Sequence, residues 1–154
     1  YRNGCLFPEM ASCTISVDPS DKENGCLQFL KGSHKLGRID HIVVNGQEQA
    51  DPERITEAKK ILSHEYLITE PGDGLFFHSN LLHRSNANNS NKPRRALICC
   101  YNTKENNPYM EHHHPRYTKL NKISDDEVLN YANKKVASDE HFLRKEDIDQ
   151  DFAK

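Results

Sequence analysis

Apolar and polar residues alternate along several short stretches of the chain, which is the pattern of half-buried β-strands. The stretch 11–18 shows it most regularly, because Cys13, Ile15 and Val17 alternate with serine and threonine. The further predicted strands are 26–30, 66–69, 75–78 and 95–102. The pattern predicts a mainly β, antiparallel barrel or jelly roll whose alternate residues point into a cavity. Periodicity alone does not distinguish a jelly roll from another sandwich.

One surface helix is predicted between the strands. Asp51 is suited to cap it, and Pro52 suits the first helical position. Its predicted apolar stripe consists of Ile55, Ala58, Ile61 and Leu62. The preceding stretch, 36–50, is polar and is predicted to be an irregular insertion.

A second helix is predicted after Ser124, because Glu127 three residues later completes a capping box. Its expected apolar side consists of Val128, Leu129, Tyr131 and Ala132. The stretch 137–154 is charged and is expected to be loosely held. We therefore divide the chain into a jelly-roll part, residues 1–118, and a helical, charged C-terminal extension, residues 119–154.

Composition excludes several classes of protein. The 154 residues include 21 basic and 23 acidic side chains, without the basic stripe that nucleic-acid binding requires. The chain contains no run of 18 apolar residues, so no membrane span is predicted. The start at Tyr1 has no features of a signal peptide. The five cysteines fit no zinc-ribbon spacing and are expected to be small buried residues in a reducing, cytoplasmic compartment.

The chemistry of the chain centres on His83 and Arg94, which stand eleven residues apart. An apolar strand leads to His83, the polar loop 86–93 reverses the chain, and a second strand begins with arginine and points back toward the first. A neutral imidazole is a good ligand for Fe(II), and a guanidinium binds a carboxylate through two parallel hydrogen bonds. The pair therefore suggests a site that holds iron and a dicarboxylate side by side.

Other charged and imidazole side chains have simpler interpretations. Arg94 and Arg95 are neighbours on a predicted strand and should point to opposite faces, with Arg95 in solvent. His78 is expected beside the site or in the core, because it and His83 lie on either side of a turn. His34 is expected to pack and form hydrogen bonds at a strand end, or to contact substrate at the cavity mouth. Asp18, Asp21 and Glu23 are expected to be solvated turn residues.

Two motifs resemble those of the phytanoyl-CoA dioxygenase family. The first is Asn24-Gly25-Cys26-Leu27-Gln28-Phe29-Leu30-Lys31-Gly32-Ser33-His34-Lys35. The second comprises Gly72-Asp73, Phe76-Phe77-His78, His83, Ser85, Asn88 and Arg94. The resemblance covers residues 1–118, with both motifs in order.

The resemblance implies a double-stranded β-helix (a cupin-like jelly roll) that uses Fe(II), 2-oxoglutarate and O2 to hydroxylate a small organic substrate. It makes His83 the distal iron ligand and Arg94 the partner of the far carboxylate of 2-oxoglutarate. Ser85 would add a hydrogen bond to that carboxylate, and Thr14 would point inward beside the cosubstrate.

The chain departs from the family pattern in one respect, because no His-x-Asp or His-x-Glu occurs in it. In similar sequences a His-Gln-Asp element lies just before the segment that matches residues 1–8. We therefore expect a C-terminal fragment, or a truncated gene, that lacks two of the three protein ligands and is inactive by itself.

Two further hypotheses come from other classes of protein. The chain is alternatively a non-catalytic jelly-roll binding module that has lost its metal site. A zinc hydrolase that uses His112 and His114 is a third interpretation, although three consecutive histidines cannot easily converge on one ion. The sequence does not identify the substrate or the oligomeric state. By position alone, residues 36–50 and the segment around His112–His114 are expected to frame the cavity mouth.

Overall fold

The computed structural model describes residues 4–44, 46–110 and 119–132. Its strands are β1 (Met10–Ser16), β2 (Leu27–Leu30), β3 (His41–Val44), β4 (Gln47–Ala50), β5 (His64–Tyr66), β6 (Gly74–His78), β7 (His83–Ser85) and β8 (Ala96–Asn102). Its α-helices are α1 (Pro52–Ile61) and α2 (Asp125–Ala132). The mainly β, antiparallel class predicted from the alternation is confirmed.

Two three-stranded antiparallel sheets form the body of the fold. The first has the order β6-β1-β8, and here Thr14 of β1 lies between Leu75 and Ile98. The second has the order β5-β2-β7, and here Phe29 of β2 lies between Glu65 and His83. The chain passes from one sheet to the other several times, as in a jelly roll.

The expected return of the arginine strand onto the histidine strand is wrong. β7, with His83, pairs with β2, whereas β8, which follows Arg94, pairs with β1. The loop 86–93 therefore crosses between the two sheets instead of closing a hairpin. Arg94 and Arg95 also lie just before β8 rather than on it.

The stretch 36–50 is not irregular throughout, because β3 and β4 in it form an antiparallel pair. The available signal was the β-branched run Ile42–Val44 followed by Asn45-Gly46, a dipeptide that favours a tight hairpin turn. Gly46 has a φ of 79°, which residues other than glycine rarely adopt. The hairpin was missed because its polar partner strand does not alternate.

Both predicted helices are present with their caps. The Asp51 carboxylate accepts hydrogen bonds from the backbone amides of Glu53 and Arg54, and Pro52 begins α1. Ser124 and Glu127 exchange the two hydrogen bonds of a capping box at 3.3 Å. The caps are local interactions, which explains why they are readable from the sequence.

The apolar sides of the helices are less well predicted. Ala58 of α1 is buried, but Ile61 is 86% exposed. On α2, Val128, Leu129 and Tyr131 are all more than half exposed. Neither helix within the described ranges has the length and apolarity of a membrane-crossing segment.

The core combines small apolar and polar side chains. Cys5, Cys13 and Cys26 are buried, as predicted, whereas Cys100 is exposed and Cys99 half-buried, and all five thiols are free. Burial raises the pKa of the Cys26 thiol, so that this thiol stays protonated and unreactive. The buried polar residues among those described are Ser16, Ser20, Asn24, Gln28, Ser33, Thr69 and Asn106.

Candidate functional site

Among the described residues, only one of the two ring nitrogens of His83 has a hydrogen-bond partner. Its Nδ1 lies 2.8 Å from the carbonyl oxygen of Leu81, so Nδ1–H donates and the lone pair of Nε2 is left available. Such a hydrogen bond from the second nitrogen is typical of histidines that bind metals. The imidazole is exposed, and its ring centre lies 5.1 Å from that of Phe77.

The first motif fixes the chain that leads to His83. The Ser33 hydroxyl, in a residue only 1% exposed, accepts a 2.8 Å hydrogen bond from the backbone amide of Leu82. The carbonyl of Leu82 in turn accepts from the amide of Leu30. Gly32 has a φ of 88°, which turns the chain so that Ser33 points back at Leu82. The motif thus holds the backbone immediately before the histidine.

The same motif fixes Arg94. The guanidinium Nε donates to the carbonyl oxygen of Asn24 at 3.0 Å. The Asn24 side chain is buried and anchored, since its amide donates to Pro19 O and its oxygen accepts from Asp21 N. Among the described residues Nε is the only guanidinium nitrogen of Arg94 with a hydrogen-bond partner. The two remaining guanidinium nitrogens of Arg94 are therefore available to donate hydrogen bonds to a carboxylate.

The glycine after Asn24 brings the crossing loop close. Gly25 has a φ of 82°, and a Cβ placed on it would lie 2.5 Å from the carbonyl oxygen of Asn86 and 2.9 Å from that of Ala87. The amide of Asn89 also donates to the carbonyl of Glu23. The loop that connects His83 to Arg94 therefore packs directly on the Asn-Gly corner.

Thr14 and Ser85 lie on strand faces that can be related to His83. Ser85 and His83 are two residues apart on β7 and so share a face. Thr14 shares a face with Phe77, because Ser12 of the same strand pairs with Phe77. Since the Phe77 ring contacts His83, that face looks toward the histidine. Their roles toward 2-oxoglutarate stay predictions.

Arg95 forms an ion pair with Asp18, whereas Arg94 donates to the carbonyl oxygen of Asn24. Two guanidinium nitrogens of Arg95 lie 2.8 and 2.9 Å from the two Asp18 oxygens. The side-chain hydrogen bond from Arg95 lowers the Asp18 pKa from 3.8 to about 2. The expectation that Asp18 is a solvated turn residue is wrong, since its side chain is only 12% exposed. The guanidinium of Arg95, 71% exposed, is largely solvated as predicted.

Asp21 is also more than a solvated turn residue. Its Oδ1 accepts hydrogen bonds from the amides of Glu23 and Asn24 at 2.8 and 2.9 Å. The Asp21 carboxylate therefore fixes the backbone of the corner that contains Asn24. Glu23 is exposed, as expected.

The remaining histidines fall in three groups. His34 and His78 lie close together, with ring centres 5.7 Å apart. His41 is exposed on the β3–β4 hairpin. The run His112–His114 lies outside the described residues.

The donor set fits iron only in part. His83 has the ring orientation and the free nitrogen that a metal requires, and an arginine with unpaired nitrogens accompanies it. In residues 4–44, 46–110 and 119–132, however, no group of three His, Cys, Asp or Glu side chains is placed to hold a metal ion. The described residues therefore supply one ligand, and a complete site needs others.

Two anchoring residues were present in the first motif without a role assigned to them. Asn24 carries the carbonyl that holds Arg94, and Ser33 holds the backbone before His83. Their signal was indirect, because small polar residues beside glycines indicate turns and not a distant partner. Ser33 bonds to a residue 49 positions away, and Asn24 bonds to a residue 70 positions away.

The fold defines a class, the jelly-roll proteins, here with a histidine and an arginine held by one sequence motif. The phytanoyl-CoA dioxygenase family model matches residues 2–96. The chain belongs to this family, and the family resemblance of the two motifs is confirmed. Dependence on Fe(II), 2-oxoglutarate and O2 is a property of that family.

Curated relatives agree with this assignment. The chain is 38% identical over 94 residues to the methylphosphonate hydroxylase of Gimesia maris, covering 59% of this chain and 32% of that protein. It is 35% identical over 91 residues to the 2-aminoethylphosphonate dioxygenase of an uncultured bacterium, covering 57% of this chain and 31% of that protein. The chain thus spans about a third of the length of the curated relatives it matches.

A solved structure shows the same fold. EctD from S. alaskensis, crystallised with bound Fe, has a TM-score of 0.59 at 22% identity, with 70% of this chain and 36% of that chain covered. The same protein has been crystallised with 2-oxoglutarate and 5-hydroxyectoine. At this identity the likeness concerns the fold, and it confirms the predicted jelly roll.

Proposed function

We propose that the chain is part of an Fe(II)- and 2-oxoglutarate-dependent dioxygenase that hydroxylates a small organic substrate. The observation that carries the proposal is the joint placement of His83 and Arg94 by one motif. The Nε2 of His83 is free, and two guanidinium nitrogens of Arg94 have no partner among the described residues. The names of the two relatives, both phosphonate-oxidising enzymes, support a small substrate.

His83 would hold iron through Nε2, while its bond to the Leu81 carbonyl fixes the ring. Arg94 would bind the far carboxylate of 2-oxoglutarate with its two outer nitrogens, assisted by the Ser85 hydroxyl. Thr14 would border the cosubstrate on the opposite sheet. When bound, iron with 2-oxoglutarate and O2 supplies the oxidation that hydroxylates a C–H bond. The work of this chain is to orient the cosubstrate and exclude water.

The other two protein ligands are proposed to lie outside the described residues, in polypeptide that approaches the free edge of β7. β7 has β2 on one side, and within the described ranges no strand pairs with its other side. A ligand strand beside β7 would stand next to His83. Without that strand the 154-residue chain is expected to be inactive. The five free thiols support a reducing, cytoplasmic location.

A second candidate function is a binding module without catalysis. The absence of a metal-binding cluster in the described part of the chain favours it. The two candidates differ in the sequence that accompanies this chain in its full-length parent. A His-x-Asp shortly upstream of Tyr1 supports the dioxygenase, and a chain that lacks one supports the binding module.

The test of the arginine compares Arg94→Ala with Arg95→Ala in the full-length parent. Losing a charge-assisted contact to a buried carboxylate costs about 2–5 kcal/mol, so Arg94→Ala should weaken 2-oxoglutarate binding and leave iron binding nearly unchanged. Arg95→Ala is the matched control, because its partner is Asp18. Equal losses of iron and 2-oxoglutarate affinity in Arg94→Ala would contradict the proposed role.

A further inference from the structure

A cleft of about 330 Å³ is lined in part by residues that neighbour His83. Its apolar walls are Phe29, Leu75, Phe76, Phe77 and Leu81. Three contacts tie it to the histidine: Leu81 accepts the Nδ1–H bond, the Phe77 ring lies 5.1 Å away, and Phe29 is the cross-strand partner of His83. A volume near the lower end of the usual range for ligand pockets suits a small molecule.

The polar residues in the lining of the cleft are Lys31, His34 and His78. The backbone amide of Asn80 donates to Nδ1 of His78 at 3.0 Å, so the proton of the neutral ring is on Nε2. Nε2–H of His78 is therefore a donor. The His34 ring lies near the His78 ring, with the ring centres 5.7 Å apart and the planes tilted by 39°.

The polar lining residues offer hydrogen-bond donors and positive charge, and no acidic side chain in the lining balances that charge. The lining residues of the cleft include no Asp or Glu. Within the part of the chain that the structure describes, no side-chain hydrogen bond occupies His34 and no ion pair occupies Lys31. An ammonium group and two imidazoles that line the same cleft are complementary to an oxyanion, whereas the aromatic walls suit an apolar body.

We propose that this cleft is the substrate subsite, and that Lys31, His34 and His78 bind an oxyanionic head group (a phosphonate, phosphate or carboxylate) of a substrate whose apolar body packs on Phe29 and Phe77. The assignment of the cleft as a substrate subsite rests on the proposed dioxygenase function. Binding of the anion itself requires neither iron nor 2-oxoglutarate. The arrangement directs the end of the substrate remote from the anion toward His83.

The test is an NMR titration of the 154-residue chain labelled with ¹⁵N at its histidines. The probes are butylphosphonate, butyrate and inorganic phosphate, with butanol as the neutral analogue. Butylphosphonate or butyrate should shift the imidazole signals of His34 and His78 saturably, and the His41 signal should stay in place. The order of the two affinities identifies the head group, and weaker binding of phosphate alone would show that the apolar walls contribute.

Variants assign the site. His34→Gln and His78→Gln should each weaken binding of the better probe by about tenfold, the value of one charge-assisted hydrogen bond. His41→Gln, in an exposed hairpin residue, is the matched control and should bind with unchanged affinity. Circular dichroism checks that each variant is folded.

The outcomes separate this proposal from the proposed function. Absent shifts at His34 and His78, equal shifts at His41, or equal binding of butanol would overturn the subsite. If a folded variant that carries both His34→Gln and His78→Gln bound the better probe with unchanged affinity, the subsite would be overturned as well. If Arg94→Ala of the full-length parent keeps its 2-oxoglutarate affinity while the anion still binds at His34, the proposed cosubstrate site fails and the oxyanion site stands.

Discussion

Two regions of this molecule are held in opposite ways. The interlocked segments, which we define as residues 24–33 and 81–94, contain Asn24 and Ser33, each 1% exposed and hydrogen-bonded across the fold. On the sheet β6-β1-β8, by contrast, Phe76 is 73% exposed and Ile98 is 65% exposed. The chain therefore fixes its own histidine and arginine firmly, but leaves apolar surface on the sheet beside them.

The difference indicates which parts of the site are held by contacts within this chain and which parts are left uncovered by it. Partly buried hydrogen bonds within this chain hold the backbone before His83 and the guanidinium of Arg94. Exposed apolar residues on a sheet are normally covered in a complete domain. Together with the coverage of about a third of each relative, this supports the proposal that other polypeptide completes the site.

The largest expected effect breaks the interlocked segments at Gly25. In Gly25→Ala the new Cβ would meet the Asn86 carbonyl and also sit at a φ of 82°, so we expect a loss of about 3 kcal/mol or more of unfolding free energy. Urea denaturation followed by circular dichroism measures it.

Gly72→Ala is the matched control for that variant. Gly72 also has a positive φ, of 94°, but nothing lies within 4 Å of its Cβ position. It should therefore lose only about 1 kcal/mol, the conformational cost alone. Equal losses in the two variants would show that the loop does not pack on Gly25 as described.

A smaller effect is expected when Ser33 becomes alanine. Ser33→Ala leaves the Leu82 amide without its partner, which should cost about 1–3 kcal/mol of unfolding free energy. Ser85→Ala, in an exposed residue of β7, should stay within about 0.5 kcal/mol of the original protein. Thermal denaturation of both variants decides the matter, and an unchanged midpoint in Ser33→Ala would mean that this anchor does not stabilise the approach to His83.

The smallest effect concerns the Asp18–Arg95 pair outside the interlocked segments. Because the pair lowers the Asp18 pKa from 3.8 to about 2, its stabilising effect is complete above the unfolded pKa. The stabilisation should disappear as the pH falls from 3.8 through 2. Asp18→Asn should lose this part of the pH dependence of the unfolding free energy. If the variant and the original protein titrate in parallel, the pair does not carry that linkage.

Sequence reasoning succeeded where an interaction is local. The caps of α1 and α2 and the strand 95–102 depend on neighbouring residues, whereas the role of Arg94 stays a prediction. The two arginines do diverge, as the alternation of a strand predicted, although both precede β8.

It failed where distant partners decide. The pairing of β7 with β2 rather than β8 depends on which sheet each strand joins, and alternation does not encode that choice. The ion pair of Asp18 joins residues 77 positions apart. The hairpin of β3 and β4 was missed for a different reason, since its turn signal Asn45-Gly46 lay in a stretch interpreted as polar insertion.

The most direct test of the central claim, that this chain carries one iron ligand and the cosubstrate arginine of a larger site, is an anaerobic titration with Fe(II) and 2-oxoglutarate. The charge-transfer band of the bound pair is followed in the 154-residue chain and in a version extended upstream through the next His-x-Asp. The account predicts the band in the extended protein and none in the shorter chain. A band in the shorter chain, or in neither protein, would contradict it.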